Sequence, residues 1–99
     1  MANQQHLKHL NKGAAHWNSW RNQYPAIQPD FREAILKGVK LKGVNLFWAA
    51  LSEADFSGAD LHNANLSKAD LNMAIILPEQ INEVKSLKGA IMPDGSVHP

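Results

Sequence analysis

The 99-residue chain contains no cysteine, which excludes disulfides, thiolate nucleophiles and cysteine-bound metals. It has no run of the ~18 apolar residues that a membrane helix needs, and its start, MANQQHLKHL, lacks the apolar core of a signal peptide. Charged residues make up 19% of the chain and the net charge is +1. A chain with so little net charge has no general field to attract nucleic acid or a membrane surface. We therefore expect one small cytoplasmic domain with no membrane partner.

The few charges are distributed unevenly along the chain. Residues 1–43 carry seven Lys and Arg against two acids, a net +5, whereas residues 44–99 carry three Lys against seven acids, a net −4. If copies of the chain stacked, the positive first half and the negative second half would favour head-to-tail contact.

A five-residue periodicity runs through the middle of the chain. Ten large apolar residues recur without a slip, at Phe31, Leu36, Leu41, Leu46, Leu51, Phe56, Leu61, Leu66, Leu71 and Ile76. The residue two places before each of these centres is small or modest, usually Ala, and the residue just before favours Asp or Asn. This period fits neither the 3.6 residues of a helix turn nor the two-residue alternation of a strand. A large inward residue, a small inward residue and three variable ones instead indicate a solenoid of stacked coils.

The repeat resembles the pentapeptide-repeat family, whose consensus A(D/N)LXX is matched by ADFSG, ADLHN, ANLSK and ADLNM within residues 29–78. The resemblance implies an all-β solenoid, a right-handed quadrilateral β-helix with about four pentapeptides per coil. Ten pentapeptides would then make about two and a half coils. The flanking segments are similar to those of small bacterial, often cyanobacterial, members.

Short solenoids need caps, because their open ends expose apolar core. We expect residues 1–28 to form an amino-terminal α-helical cap, residues 29–78 the β-helix and residues 79–99 a carboxy-terminal cap, all in one structural domain. A helix over residues 3–23 would pack through a stripe of Leu7, Leu10, Trp17 and Trp20. Pro78 is placed to begin a short helix, PEQINEVKSL, and GAIMPDG resembles a strand followed by a turn.

Phe47 and Trp48 are the anomaly of the repeat, because they occupy variable positions that are polar or Gly in most other pentapeptides. Counting four sides per coil places them on the fourth side, which Lys68 shares. An exposed aromatic pair on a small protein usually marks an interface. Three alternatives stay open: a flanking segment covers the pair, a second copy of the chain binds it in a homodimer or stacked oligomer, or a different protein binds it.

Histidines offer a weak metal-binding pattern in the first helix. His6, His9 and His16 include an HxxH pair, but the spacing fixes no acid or further His beside it. We therefore expect no metal and no other cofactor.

The chain also contains the residue types of a hydrolytic triad, Ser57, Asp60 and His62. All three lie in variable or corner positions of the coil, where no pocket is implied. We expect no catalytic residues and no enzymatic activity.

The sequence thus predicts a non-enzymatic pentapeptide-repeat scaffold, a protein–protein interaction module with a contact surface at Phe47, Trp48 and Lys68. One alternative is a nucleic-acid-associated protein that uses the basic amino-terminal helix, with Lys8, Lys12 and Arg21 beside Trp17 and Trp20. Another is a DNA-mimic-type regulator of a DNA-binding enzyme, as the resemblance to longer members implies. The short coil and the charge of +1 argue against mimicry by a monomer.

Overall fold

The structure, a computed structural model, describes residues 1–99 and contains three helices. These are α1 (Gln4–Asn11), α2 (Ala14–Gln23) and α3 (Pro78–Glu83). None of the three has the length and apolarity needed to cross a lipid bilayer. Between α2 and α3 the chain forms a coil of short turns.

Residues twenty positions apart pair in parallel along the coil. The bridges join Asp30 to Ala50 and Ala50 to Asp70, Ile35 to Asp55 and Asp55 to Ile75, Lys40 to Asp60, and Asn45 to Asn65. A return every twenty residues means four five-residue sides per turn, the number that the family resemblance implies. Backbone bonds connect adjacent turns, for example from Phe31 N–H to Ala50 O at 2.8 Å and from Ala50 N–H to Pro29 O at 2.8 Å.

The bridges are isolated, and no extended strand forms. The reason lies in how the five residues of each side are arranged. A four-residue β-turn runs from the apolar centre to the small residue three places later, as when Ala54 N–H donates to Leu51 O at 3.1 Å. Only the single residue between successive turns is left to bridge, too few for a strand. The structure therefore differs from the expected all-β architecture, because it contains isolated parallel bridges and three helices but no strands.

The core is a stack of the repeated inward residues. Nine of the ten predicted centres are at most 1% exposed, and Ile76 at the end of the series is partly buried. The small residues of the repeat, from Ala34 to Ala74, are buried between them, except for Val39, which is partly buried. Every side of the coil thus contributes one large and one small side chain to a single core.

The amino-terminal cap is a pair of helices, where the sequence predicted one. The chain breaks at Gly13, whose φ of 108° lies outside the helical range, so α1 and α2 become separate packed helices. Leu10 and Trp17 are fully buried against the first coil, and Leu7 and Trp20 are partly buried there.

The bridge ladder continues beyond residue 78, where the sequence placed the end of the repeats. After α3, Asn65 pairs with Ser86 and Asp70 with Ile91, now at a spacing of 21 residues. Leu87 and Ala90 take the large and small inward positions and are buried. Helix α3 therefore stands in for one side of the coil, and two further sides follow it.

Candidate functional site

Phe47 and Trp48 lie on the fourth side of the coil, in the first circuit that the chain makes. Their exposed fractions are 38% and 39%, and neither ring stacks on the aromatic side chains of the cap. Trp20 stacks instead on Trp17 and on His9, while Phe31 contacts Trp17 and Tyr24 contacts Trp20 with tilted rings. The aromatic pair is therefore held on the surface.

Backbone hydrogen bonds hold this pair from three directions. Phe47 N–H donates to Asn45 Oδ1 at 3.1 Å, Trp48 N–H donates to Ser67 O at 2.9 Å, and the Gln28 side chain donates to Trp48 O at 3.1 Å. Trp48 adopts φ 63°, in the left-handed region.

Lys68 lies one coil above Trp48, at the same position of the repeat. Its φ is 58°, and its N–H donates to Lys88 O at 2.9 Å. The stem of the side chain lies over Gly89, where an added Cβ would come within 3.3 Å of Lys68 Cγ. Phe47, Trp48 and Lys68 thus share one side of the coil, as the sequence predicts, with two aromatic rings and one cation at its surface.

The amino-terminal cap uses its polar side chains to complete the first coil. Trp17 Nε1 donates to Asn45 O at 2.7 Å, while Asn18 donates to Gly43 O at 3.0 Å and accepts from Asn45 N–H at 2.7 Å. His6 Nδ1 accepts from Asp30 N–H at 3.0 Å. These groups occupy the donor and acceptor positions that a preceding coil would fill.

The basic residues of the cap, Lys8, Lys12 and Arg21, do not share one exposed surface. Lys8 and Lys12 are exposed, but Arg21 is only 4% exposed and donates to the backbone oxygens of Tyr24 and Ile27. Burial lowers the pKa of Arg21 from its usual value. The role of Arg21 in the structure is to tie the end of α2 to the following loop.

Two of the three amino-terminal histidines meet. His9 Nδ1 and His16 Nε2 lie 3.0 Å apart in stacked rings, whereas His6 is buried with its Nδ1 committed to Asp30. Burial, followed by the neighbouring charges of His16 and Lys12, lowers the pKa of His9. The predicted HxxH pair of His6 and His9 therefore does not form a joint site.

The residues of the possible triad are also divided. Ser57 Oγ donates to Asp55 Oδ1 at 2.6 Å, and no hydrogen bond joins Ser57 to His62. His62 Nδ1 instead lies 2.7 Å from Asp60 Oδ1 and 3.4 Å from Glu83 Oε2. The hydrogen bond to Asp60 and the charge of Glu83 raise the pKa of His62, and the bond to His62 lowers the pKa of Asp60.

Sequence reasoning missed Glu83 and four exposed apolar side chains. Ile35, Met73, Ile75 and Leu77 are 78%, 63%, 54% and 56% exposed. Ile35 and Ile75 occupy the corner position where Asp or Asn is usual, so their apolar character was the available signal. Glu83 had no such signal, because only the fold of α3 brings it to His62.

Comparison with known proteins points to one family. Residues 45–75 match the family model described as pentapeptide repeats, in eight copies. No curated protein and no solved structure matches the chain significantly. The matched segment lies within the part of the chain where bridged residues are twenty positions apart. The sequence pattern and the ladder of bridges therefore agree that residues 45–75 consist of pentapeptide repeats.

Proposed function

We propose that this protein is a non-enzymatic scaffold, a right-handed quadrilateral β-helix that binds another protein through the surface formed by Phe47, Trp48 and Lys68. The observation that carries the proposal is the exposure of two adjacent aromatic side chains, 38% and 39%, on a coil with a fully buried core. Aromatic residues are enriched at protein interfaces and supply much of their binding energy. The cytoplasmic location stays a prediction from the sequence.

The rigidity of the surface favours recognition. The backbone of both aromatic residues is bonded to neighbouring turns and to the loop before the first coil. A partner would therefore bind side chains whose backbone is already ordered, and binding would lose little further conformational entropy.

The conformation of Trp48 is a second argument. Gly38, Gly43, Gly58 and Gly89 occupy the same turn position with φ between 68° and 75°. A residue with a Cβ there costs about 1–2 kcal/mol relative to its usual backbone region. Trp48 is the largest side chain placed at such a position in this coil, and conformations that cost stability are often associated with function.

A protein partner is better supported than nucleic acid. Burial of Arg21 leaves Lys8 and Lys12 as the exposed cations of the proposed basic helix. The aromatic rings of the cap, Trp17 and Trp20, pack against the core and against each other. Bases would need an exposed aromatic platform beside the cations, and no such platform accompanies these lysines.

The first experiment is the molar mass in solution, by light scattering after size exclusion, of the wild type, Trp48→Ser and Met73→Ser. Met73 is the matched control, because it is an exposed apolar side chain in the same left-handed turn position on another side of the coil. A dimer that only Trp48→Ser dissociates identifies the partner as a second copy. A dimer that persists in both variants assigns self-association to another surface.

A monomeric wild type calls for capture of partners from an extract with the same three immobilised proteins. We expect a protein retained by the wild type and Met73→Ser and lost with Trp48→Ser, with retention unchanged when salt is raised. Identical capture by all three would contradict the proposed surface. Steep loss of the retained material with salt would favour the nucleic-acid alternative.

A further inference from the structure

A cluster of three ligand-bearing side chains lies on the third side of the coil, away from the aromatic surface. One atom each of Asp60, His62 and Glu83 lies within 4.8 Å of the others. The side chains are 43%, 55% and 37% exposed, so they are open to water yet partly enclosed.

The cluster is assembled by two elements that meet at fixed points. Asp60 and His62 belong to one corner of the coil, where His62 N–H donates to Asp60 Oδ1 at 3.1 Å. Glu83 is the last residue of α3, and its carbonyl accepts from Asn63 N–H at 2.9 Å. The helix that replaces one side of the coil thus places a carboxylate beside an imidazole.

We propose that Asp60, His62 and Glu83 bind a divalent transition metal ion of the Zn²⁺ class, with water completing the coordination. Imidazole and carboxylate are both Zn²⁺ ligands, and two ligand atoms at about 2.0–2.1 Å from a tetrahedral ion lie about 3.3–3.4 Å apart. His62 Nδ1 and Glu83 Oε2 are already 3.4 Å apart. Asp60 Oδ1, at 2.7 Å from His62 Nδ1, has only to move outward.

The charge of the cluster suits a dication. Two carboxylates and a neutral imidazole carry a formal charge of −2, and the ion would replace the proton that His62 Nδ1 shares with these acids. Lys42, one coil below His62, is the nearby cation that opposes binding. Affinity should therefore rise when Lys42 is removed and fall with decreasing pH, because protons compete for His62.

The test uses the chelator-treated 99-residue protein, titrated with Zn²⁺ by calorimetry and followed by the ring signals of the histidines in NMR spectra. We expect one equivalent to bind, with shifts at His62. The variants His62→Ala and Glu83→Gln should each weaken binding by about tenfold or more, while Lys42→Ser should strengthen it. His16→Ala is the matched control, since it removes the other close imidazole pair.

Each opposing result has a distinct meaning. Absence of Zn²⁺ binding by the wild type, or binding unchanged in His62→Ala, would overturn the proposal. If only His16→Ala abolished binding, the metal site would be assigned to His9 and His16 and the proposed cluster would be wrong. If Mg²⁺ bound as tightly as Zn²⁺ and the His62→Ala substitution did not change this, the carboxylates would attract cations without selectivity and the proposal would be wrong. None of these results bears on the protein-binding surface, because that surface lies on another side of the coil.

Discussion

At the scale of single residues, the backbone conformation of one turn position dominates the coil. The residue two places after each apolar centre from Phe31 to Leu71 lies in the left-handed region, whether it is a glycine such as Gly38 or a residue with a side chain such as Glu53 or Lys68. This is the third residue of a turn closed by the centre and the following small residue. Glycine is the residue that adopts this conformation without steric cost, so the variable position of the repeat is not energetically neutral.

We expect Gly38→Ala to lower the free energy of unfolding by about 1 kcal/mol. The added Cβ meets nothing within 4 Å, so only the backbone cost at φ 68° is measured. The converse change, Met73→Gly at φ 60°, removes a 63% exposed side chain and should be neutral or stabilising. Urea unfolding of the three proteins measures both effects, and a loss of stability in Met73→Gly as large as that in Gly38→Ala would contradict the explanation.

His6 makes the stability of the cap depend on pH. Its Nδ1 must be unprotonated to accept from Asp30 N–H, and it lies among Trp17, Trp20 and Phe31. Burial lowers the pKa of His6 below 6.5, helped by the charges of His9 and Arg21 and opposed by Asp30. The unfolded chain therefore takes up the proton first. The stability from His6 is complete above about pH 6.5 and is lost as the pH falls toward the folded pKa.

The free energy of unfolding should consequently be lower at about pH 5.5 than at about pH 7.5. His6→Asn should flatten this dependence, because an amide oxygen can accept from Asp30 N–H without titrating. His62 acts in the opposite direction, since its raised pKa gives a contribution that is lost as the pH rises. His62→Ala should therefore steepen the fall toward acid. An unchanged pH dependence in His6→Asn would refute the role of His6.

At the scale of elements, the helices at both ends replace missing coils by means of side chains. Gln80 in α3 is 7% exposed, and its amide donates to Phe56 O at 2.7 Å and Ala59 O at 2.9 Å. Its oxygen accepts from Leu77 N–H at 2.8 Å. In the regular coil, such a carbonyl oxygen accepts a hydrogen bond from a backbone N–H of the next circuit. Val39 O, for example, accepts from Asp60 N–H at 3.1 Å. One glutamine thus substitutes for a segment of backbone.

Gln80→Ala should lower the free energy of unfolding by about 2–4 kcal/mol, because it removes the side-chain donor to two buried carbonyls. Glu79→Ala is the neighbouring control on the exposed side of α3, and we expect a change within about 0.5 kcal/mol. Chemical unfolding at neutral pH measures both. Equal effects of the two substitutions would show that α3 contributes only its packing to the end of the coil.

The repeating part of the fold could be predicted from the sequence, because each five-residue side imposes the same inward residues. The ends could not. The pattern at Ser86, Leu87 and Gly89 repeats the residue types of the coil, but α3 shifts it from a spacing of 20 to 21 residues. Similarly, the place of Trp48 on the fourth side followed from its position in the repeat, whereas the approach of Glu83 to His62 depends on how a helix meets the coil.

At the scale of the whole molecule, cap and coil share one core. Leu10 and Trp17 belong to the same buried cluster as the centres of the coil, and the cap also bonds to the backbone of Asn45 and Gly43. The cap buries its apolar side chains only on the first coil. The two parts should therefore unfold together.

We expect a single transition in urea, tested in the Trp48→Ser background so that fluorescence reports only on Trp17 and Trp20 of the cap. The NMR signal of the Leu51 amide, bonded to Asp70 O at 2.9 Å in the middle of the coil, reports on the repeats. Coincident midpoints are expected for one cooperative unit. An earlier midpoint for the cap would mean that the coil is stable without it.

The antiparallel pairing at the far end of the ladder bears on aggregation. Val97 pairs antiparallel with Ile91, Gly89 N–H donates to His98 O at 2.8 Å, and His98 N–H donates to Ala90 O at 2.8 Å. Exposed rows of unpaired backbone groups template the addition of further chains, as in amyloid. Here the reversed segment occupies those groups at one corner and presents the wrong polarity for parallel addition. At that corner, the molecule is protected against growing into a fibre of its own coils.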